Sequence, residues 1–95
     1  MESLNNTEIE ALVIRLKSGD ETAFAEVYDR YSGAINGIIL RIVTDSEASQ
    51  DVLQDTFVKI WKNIQSYDST KGSFFTWMLN IARNTSIDSL RKLKK

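Results

Sequence analysis

The sequence predicts an all-α fold, a single compact bundle of four helices joined by short connections. Three observations carry that expectation. The chain has no proline and only four glycines in 95 residues, so little in it breaks a helix. Apolar residues recur at helical spacing in four successive stretches. Between those stretches lie short polar breaks rich in Ser, Asp, Thr and Gly, the residues that stop one helix and cap the next.

In the first stretch Ile9, Leu12, Val13 and Leu16 fall at i, i+3, i+4 and i+7. Thr7 followed by Glu10 fits a capping box at its start. Ser18-Gly19-Asp20 ends it, with Gly19 suited to the C′ position and Asp20 to the N-cap of the next helix. The second helix is expected from Glu21 to Val43, with a stripe of Phe24, Val27, Tyr28, Tyr31, Ile35, Ile38, Ile39 and Ile42. Gly33 and Gly37 lie inside it, each costing about 1 kcal/mol relative to alanine. Their i, i+4 spacing fits the close approach of a neighbouring helix, but plain core packing is the simpler reading. Thr44-Asp45-Ser46 breaks the chain again. The third helix is expected from Glu47 to Gln65, with Leu53, Thr56, Phe57, Ile60 and Ile64 on its core face. Residues 66–73 read as a loop by composition. Ser73 then caps a fourth helix running to the end, with Phe74, Trp77, Met78, Ile81, Ala82 and Thr85 inward. No repeat or low-complexity tract interrupts this single domain.

Composition narrows the function. Without cysteine there is no disulfide framework, thiolate zinc site or cysteine nucleophile. Without histidine the commonest general base and metal ligand are missing. The expectation is a binding module rather than an enzyme, with no cofactor and no metal. No apolar run approaches the ~18 residues of a membrane span, and the polar, acidic N-terminus is unlike a signal peptide. A cytoplasmic protein away from membranes follows by default.

The formal charge of −1 hides two opposed halves. Residues 1–66 carry six Lys and Arg against eleven Asp and Glu, whereas residues 67–95 carry six against two. A basic segment suits a polyanion and an acidic one suits a basic protein, although either is also what an ordinary solvated face looks like.

Projected as a helix, the third stretch turns Asp51, Gln54, Asp55, Val58 and Lys62 away from its core face, with Trp61 on the edge. Asp51 and Asp55 form a small acidic ridge, and Asp55 can pair with Lys59 one turn on. Acidic, amide and aromatic groups together fit a protein interface: tryptophan supplies area and the carboxylates select a basic partner. It fits equally well that Trp61 completes the core and the carboxylates keep the surface soluble. A metal or acid–base role for the two carboxylates lacks a pocket and a histidine.

The loop mixes Tyr67, Lys71, Gly72 and Ser73 and runs into Phe74-Phe75-Thr76-Trp77. Aromatic faces stack on unpaired bases, hydroxyls and amides bond base edges, and lysine meets phosphate. Aromatics this dense are more often core anchors, so Phe74 and Trp77 are assigned inward and Tyr67 and Phe75 to the surface. On the fourth helix Asn80, Asn84, Ile87 and Arg91 make a line pointing away from the core, flanked by Arg83. Asp88 precedes Arg91 and Lys92 at helical spacing and can orient either. Asparagine bonds adenine, and arginine bonds guanine or phosphate. This face, ending in Lys92-Leu93-Lys94-Lys95, fits nucleic acid and fits bulk solvent equally on pattern alone.

Taken in order, these residues resemble region 2 of bacterial sigma factors of the extracytoplasmic-function group. The marks are Gly19-Asp20 before Ala23-Phe24, Tyr28-Asp29-Arg30-Tyr31, the run from Asp51 to Trp61, Tyr67-Asp68, Lys71-Gly72-Ser73-Phe74, Thr76 to Asn84, Ile87-Asp88 and Leu90-Arg91-Lys92. Single pieces are weak, but the ordered set is specific and spans almost the whole chain. The resemblance implies a module that binds core RNA polymerase and helps direct it to promoters. It implies that Asp51, Gln54, Asp55, Phe57, Val58 and Trp61 face the polymerase clamp helices, in the largest subunit. It implies that the loop from Tyr67 to Phe74, with Lys71, Gly72 and Ser73, captures a flipped base of the promoter minus-ten element. Phe75, Asn80, Arg83, Asn84, Ile87, Asp88, Arg91 and Lys92 would complete the contact to single-stranded minus-ten DNA. An anti-sigma factor is a partner expected only through this resemblance. The family's C-terminal helix-turn-helix domain, region 4, has no counterpart before Lys95, so a domain of a longer protein is expected. The alternative is a helical protein–protein interaction module that never touches DNA.

Overall fold

A computed structural model describes residues 4–93. Its helices are α1 (Asn6–Lys17), α2 (Glu21–Ile42), α3 (Ser46–Asn63) and α4 (Phe74–Leu93). Two 3₁₀ turns, Ile64–Ser66 and Ser69–Lys71, connect α3 to α4. Helices α2, α3 and α4 each pack on the other two, and α1 lies against α2 and the first 3₁₀ turn. Lys94 and Lys95 of the expected basic tail lie outside the described residues.

The breaks work as their residue types require. Asp20 accepts from the amides of Thr22 and Ala23, Asp45 from Glu47, and the Ser73 hydroxyl from Thr76, each satisfying orphan donors of a first turn. At the end of α1 the amide of Gly19 bonds the Leu16 carbonyl and that of Asp20 bonds the Arg15 carbonyl. This Schellman pattern needs a left-handed residue, and Gly19 takes φ 85°. Arg15 then bridges forward to Asp20 at 2.9 Å and Glu26 at 3.1 Å, tying α1 to α2. The Thr22 hydroxyl, and after it the Arg15 guanidinium, hold the Asp20 carboxyl at about 2.

The core joins Leu12 and Leu16 to Ala23, Val27, Ile35, Ile39, Val52, Phe57, Ile60, Phe74, Met78 and Ala82. Four buried hydroxyls, of Ser49, Thr56, Thr85 and Ser86, each donate to a carbonyl of the preceding turn and so are not left unpaired.

Several local expectations are corrected. The capping box of α1 is Asn5 with Glu8, not Thr7 with Glu10. The same spacing occurs two residues earlier, and there it places Leu4 and Ile9 at the staple positions, both packed on the core. Tyr28 is 40% exposed rather than inward, because α3 covers α2 on the neighbouring Val27 side and leaves Tyr28 lying over the Phe57 ring. Gly33 and Gly37 are exposed, and a methyl group at either would meet open space. They mark neither a close helix approach nor core packing. The helical path of α3 tightens after Asn63, so Ile64 reaches the core from a 3₁₀ turn.

Candidate functional site

Two surfaces carry the residues that the sequence singles out. The first is the outer face of α3. Asp51, Gln54, Asp55 and Val58 are all exposed, Val58 by 47%. Trp61 is half-buried, with its ring 5.1 Å from Phe24 in an edge arrangement. Phe57 corrects the expectation: only 3% exposed, it lies beneath Tyr28 and Phe24 and offers no contact surface. Phe57 follows Thr56 on the buried side of the wheel, so it supports this face from below. The expected Asp55–Lys59 pair is also absent. Lys59 instead donates to the Thr85 hydroxyl of α4 at 3.1 Å. Among the described residues the ion pairs are those of Arg15, so Asp51 and Asp55 are in none of them. Tyr28 adds an exposed aromatic ring across the α2–α3 seam that sequence reasoning assigned to the core.

The second surface is a concave pocket of about 140 Å³ between the α3–α4 connection and the first turns of α4. It is lined by Ser66, Tyr67, Asp68, Lys71, Gly72, Ser73, Thr76, Trp77 and Asn80. Its wall is aromatic because the chain must bury Phe74. That ring is 1% exposed, 5.3 Å from Tyr67 and stacked at 6.0 Å on Trp77, while Tyr67 and Trp77 stand 5.5 Å apart. Offset and edge-on contacts at such distances favour a rigid cluster.

Tyr67 corrects the sequence expectation of a surface ring. It is 6% exposed, and burial, with the neighbouring Asp68 charge, raises its phenol above the usual tyrosine value. The phenol therefore stays protonated and donates to the Gly72 carbonyl at 3.1 Å, closing the loop on itself. The Asp68 carboxylate accepts from the Thr70 hydroxyl and amide, and these bonds lower its pKa. Gly72 adopts φ 151°. The Ser73 hydroxyl is already engaged with Thr76 as the cap of α4. Lys71 is exposed at the rim. Phe75 lies outside the pocket, 5.8 Å from Tyr31. Ser66, Asp68, Thr76 and Trp77 were missed as lining residues. The Ser73–Thr76 capping interval was the available signal for Thr76, whereas Trp77 looked inward by periodicity.

From the pocket the face of α4 continues along Asn80, Arg83, Asn84, Ile87, Asp88, Arg91 and Lys92, all exposed. Asp88 pairs with neither Arg91 nor Lys92, so both cations remain available. Asn80 belongs both to the pocket and to this line, which makes the two one continuous surface.

These features define an all-helical module with an acidic, part-aromatic wall on one helix and an aromatic pocket leading onto an Asn/Arg track. The chain belongs to the Sigma-70 region 2 family, whose model matches residues 27–95. It is similar to the ECF RNA polymerase sigma factor SigK of Mycobacterium tuberculosis H37Rv, 31% identical over 86 residues, covering 90% of this chain and 46% of the relative. SigK of Mycolicibacterium vanbaalenii is 32% identical over 88 residues, covering 93% and 45%. The chain thus spans about half the length of the curated relatives it matches. Among solved structures, an engineered region 2 of sigmaE in complex with GTAAAA superposes with a TM-score of 0.81 at 32% identity. That match covers 97% of this chain and 92% of the other. This is region 2 of an extracytoplasmic-function sigma factor.

Proposed function

We propose that this domain binds core RNA polymerase through α3 and the single-stranded promoter minus-ten element through the pocket and α4. It acts in the cytoplasm as a non-catalytic module of transcription initiation. The observation that carries this reading is the continuity of the aromatic pocket with the Asn/Arg face through Asn80. A base unstacked from duplex DNA loses a few kcal/mol, and a pocket with an aromatic wall and hydroxyl, amide and backbone groups recovers it. Lys71, Arg83, Arg91 and Lys92 meet phosphates, which holds the strand without reading it. Asn80 and Asn84 offer paired donor and acceptor groups to base edges. On the other side, Asp51, Gln54 and Asp55 select a basic surface of the clamp helices, while Val58, Trp61 and Tyr28 supply apolar area.

Titration of single-stranded promoter oligonucleotides should show affinity falling steeply as salt rises. Asn84→Ala should reduce discrimination between the minus-ten strand and a scrambled strand by about 1–3 kcal/mol. An equal loss on both strands would make Asn84 a positioning contact instead. Asp55→Arg should weaken binding to core polymerase while leaving the unfolding curve unchanged, because Asp55 is exposed and unpaired. Undiminished polymerase binding by that variant would move the interface off α3.

A further inference from the structure

The pocket loop is tied to the rest of the bundle by a pair of bonds at one place. Lys17 ends α1, and its Nζ donates to the Tyr67 carbonyl at 2.8 Å. The same ammonium lies 5.9 Å from the Tyr67 ring centroid, within cation–π range. In return, the Lys17 carbonyl accepts from Gln65 Nε2 at 2.6 Å. These contacts join residues 48 and 50 positions apart. Among the described residues, the other hydrogen bonds of residues 64–72 stay within the loop and its junction with α3: Tyr67 to Ile64, Ser66 to Asn63, Thr70 and Lys71 to Asp68, and Tyr67 to Gly72. Short 3₁₀ turns have poor hydrogen-bond geometry and hold themselves weakly. The backbone of this loop is therefore located from outside by the C-terminal end of α1.

We infer that Lys17 and Gln65 are positioning residues for the pocket, holding the Tyr67 backbone so that the base-binding cavity is formed before DNA arrives. This rests on the reading that the pocket receives a base. Tyr67 transmits the constraint: Lys17 holds its carbonyl, its ring walls the cavity and its hydroxyl holds Gly72. A loop that must be ordered during binding lowers affinity, and a preformed one avoids that loss. Helix α1 precedes the residues matched by the family model, which begin at residue 27. A segment outside that match thus sets the shape of a site inside it.

The test compares the single-stranded hexamer that the protein prefers, selected from a randomised pool, with six versions each carrying one abasic nucleotide. Wild type should lose affinity most for one abasic position, the captured base. Lys17→Met keeps the aliphatic stem over the loop and removes the donor. Gln65→Ala removes the reciprocal bond at an exposed position that folding tolerates. In each variant, affinity for the intact hexamer should fall about three- to tenfold. Affinity for the strand abasic at the captured position should stay within twofold of wild type, since the α4 contacts are untouched. A merely structural role would weaken both strands alike, and that result, or an undiminished preference in the folded variants, overturns the inference. If wild type itself does not distinguish any abasic strand, the base-capture reading fails, and the positioning role fails with it.

Discussion

Phe74→Ala should remove about 3–5 kcal/mol of stability, as expected for emptying a large buried aromatic site. The whole domain has on the order of 5–15 kcal/mol, so a substantial share depends on this one ring. Phe74 is the first residue of α4 and the largest fully buried side chain. It lies 6.3 Å from Tyr31 of α2, 5.3 Å from Tyr67 and 6.0 Å from Trp77. Alanine would leave a cavity where α2, α4 and the pocket loop meet. Urea unfolding should show a lower midpoint with an unchanged slope. The variant should also bind single-stranded DNA poorly at temperatures where it remains folded, because Tyr67 and Trp77 lose their backing. A loss below about 1 kcal/mol would show that the aromatic cluster is not part of the cooperative core.

Gly72→Ala is expected to damage the pocket more selectively. At φ 151° and ψ 172° the residue occupies a region that is essentially restricted to glycine, and a side chain there costs about 1–3 kcal/mol. Space is not the obstacle, since a Cβ would meet nothing within 4 Å. The strain lies in the backbone and is relieved by turning the peptide. That turn withdraws the Gly72 carbonyl from the Tyr67 hydroxyl and reshapes the cavity. Binding of the preferred hexamer should fall roughly thirtyfold, for a strain near the middle of that range, while the far-ultraviolet helical signal is retained. Trp77 lines the cavity, so its fluorescence response to added DNA reports the same change. Wild-type affinity in this variant would show that the loop geometry does not shape the DNA site.

The two substitutions probe different kinds of legibility. The Phe74 position was readable because helical periodicity and a preceding Ser73 cap agree on it. The α3 ridge and the α4 line were readable for the same reason: a helix presents residues at fixed angles, so the side opposite an apolar stripe can be named in advance. Tyr67 was misplaced because it lies in a loop, where no period says which way a ring turns. Phe57 was placed correctly on the core face by spacing, and its supposed polymerase contact, carried by the resemblance, does not survive its burial. The Asp55–Lys59 and Asp88–Arg91 pairs fitted the spacing rule but do not form. Exposed i, i+3 and i, i+4 pairs are worth only a few tenths of a kcal/mol, and Lys59 instead bonds Thr85 on the neighbouring helix.

The order of residues alone determined the four helices, the Asp20 and Ser73 caps and the polar faces of α3 and α4, since these depend on interactions between near neighbours along the chain. Tertiary packing alone decided that Asn80 serves both the pocket and the Asn/Arg track, and that Lys17 reaches across 50 positions to hold Tyr67. Contacts between residues so distant in sequence leave no periodic trace. They arise only when burial of the shared core brings the end of α1 and the α3–α4 connection to the same place.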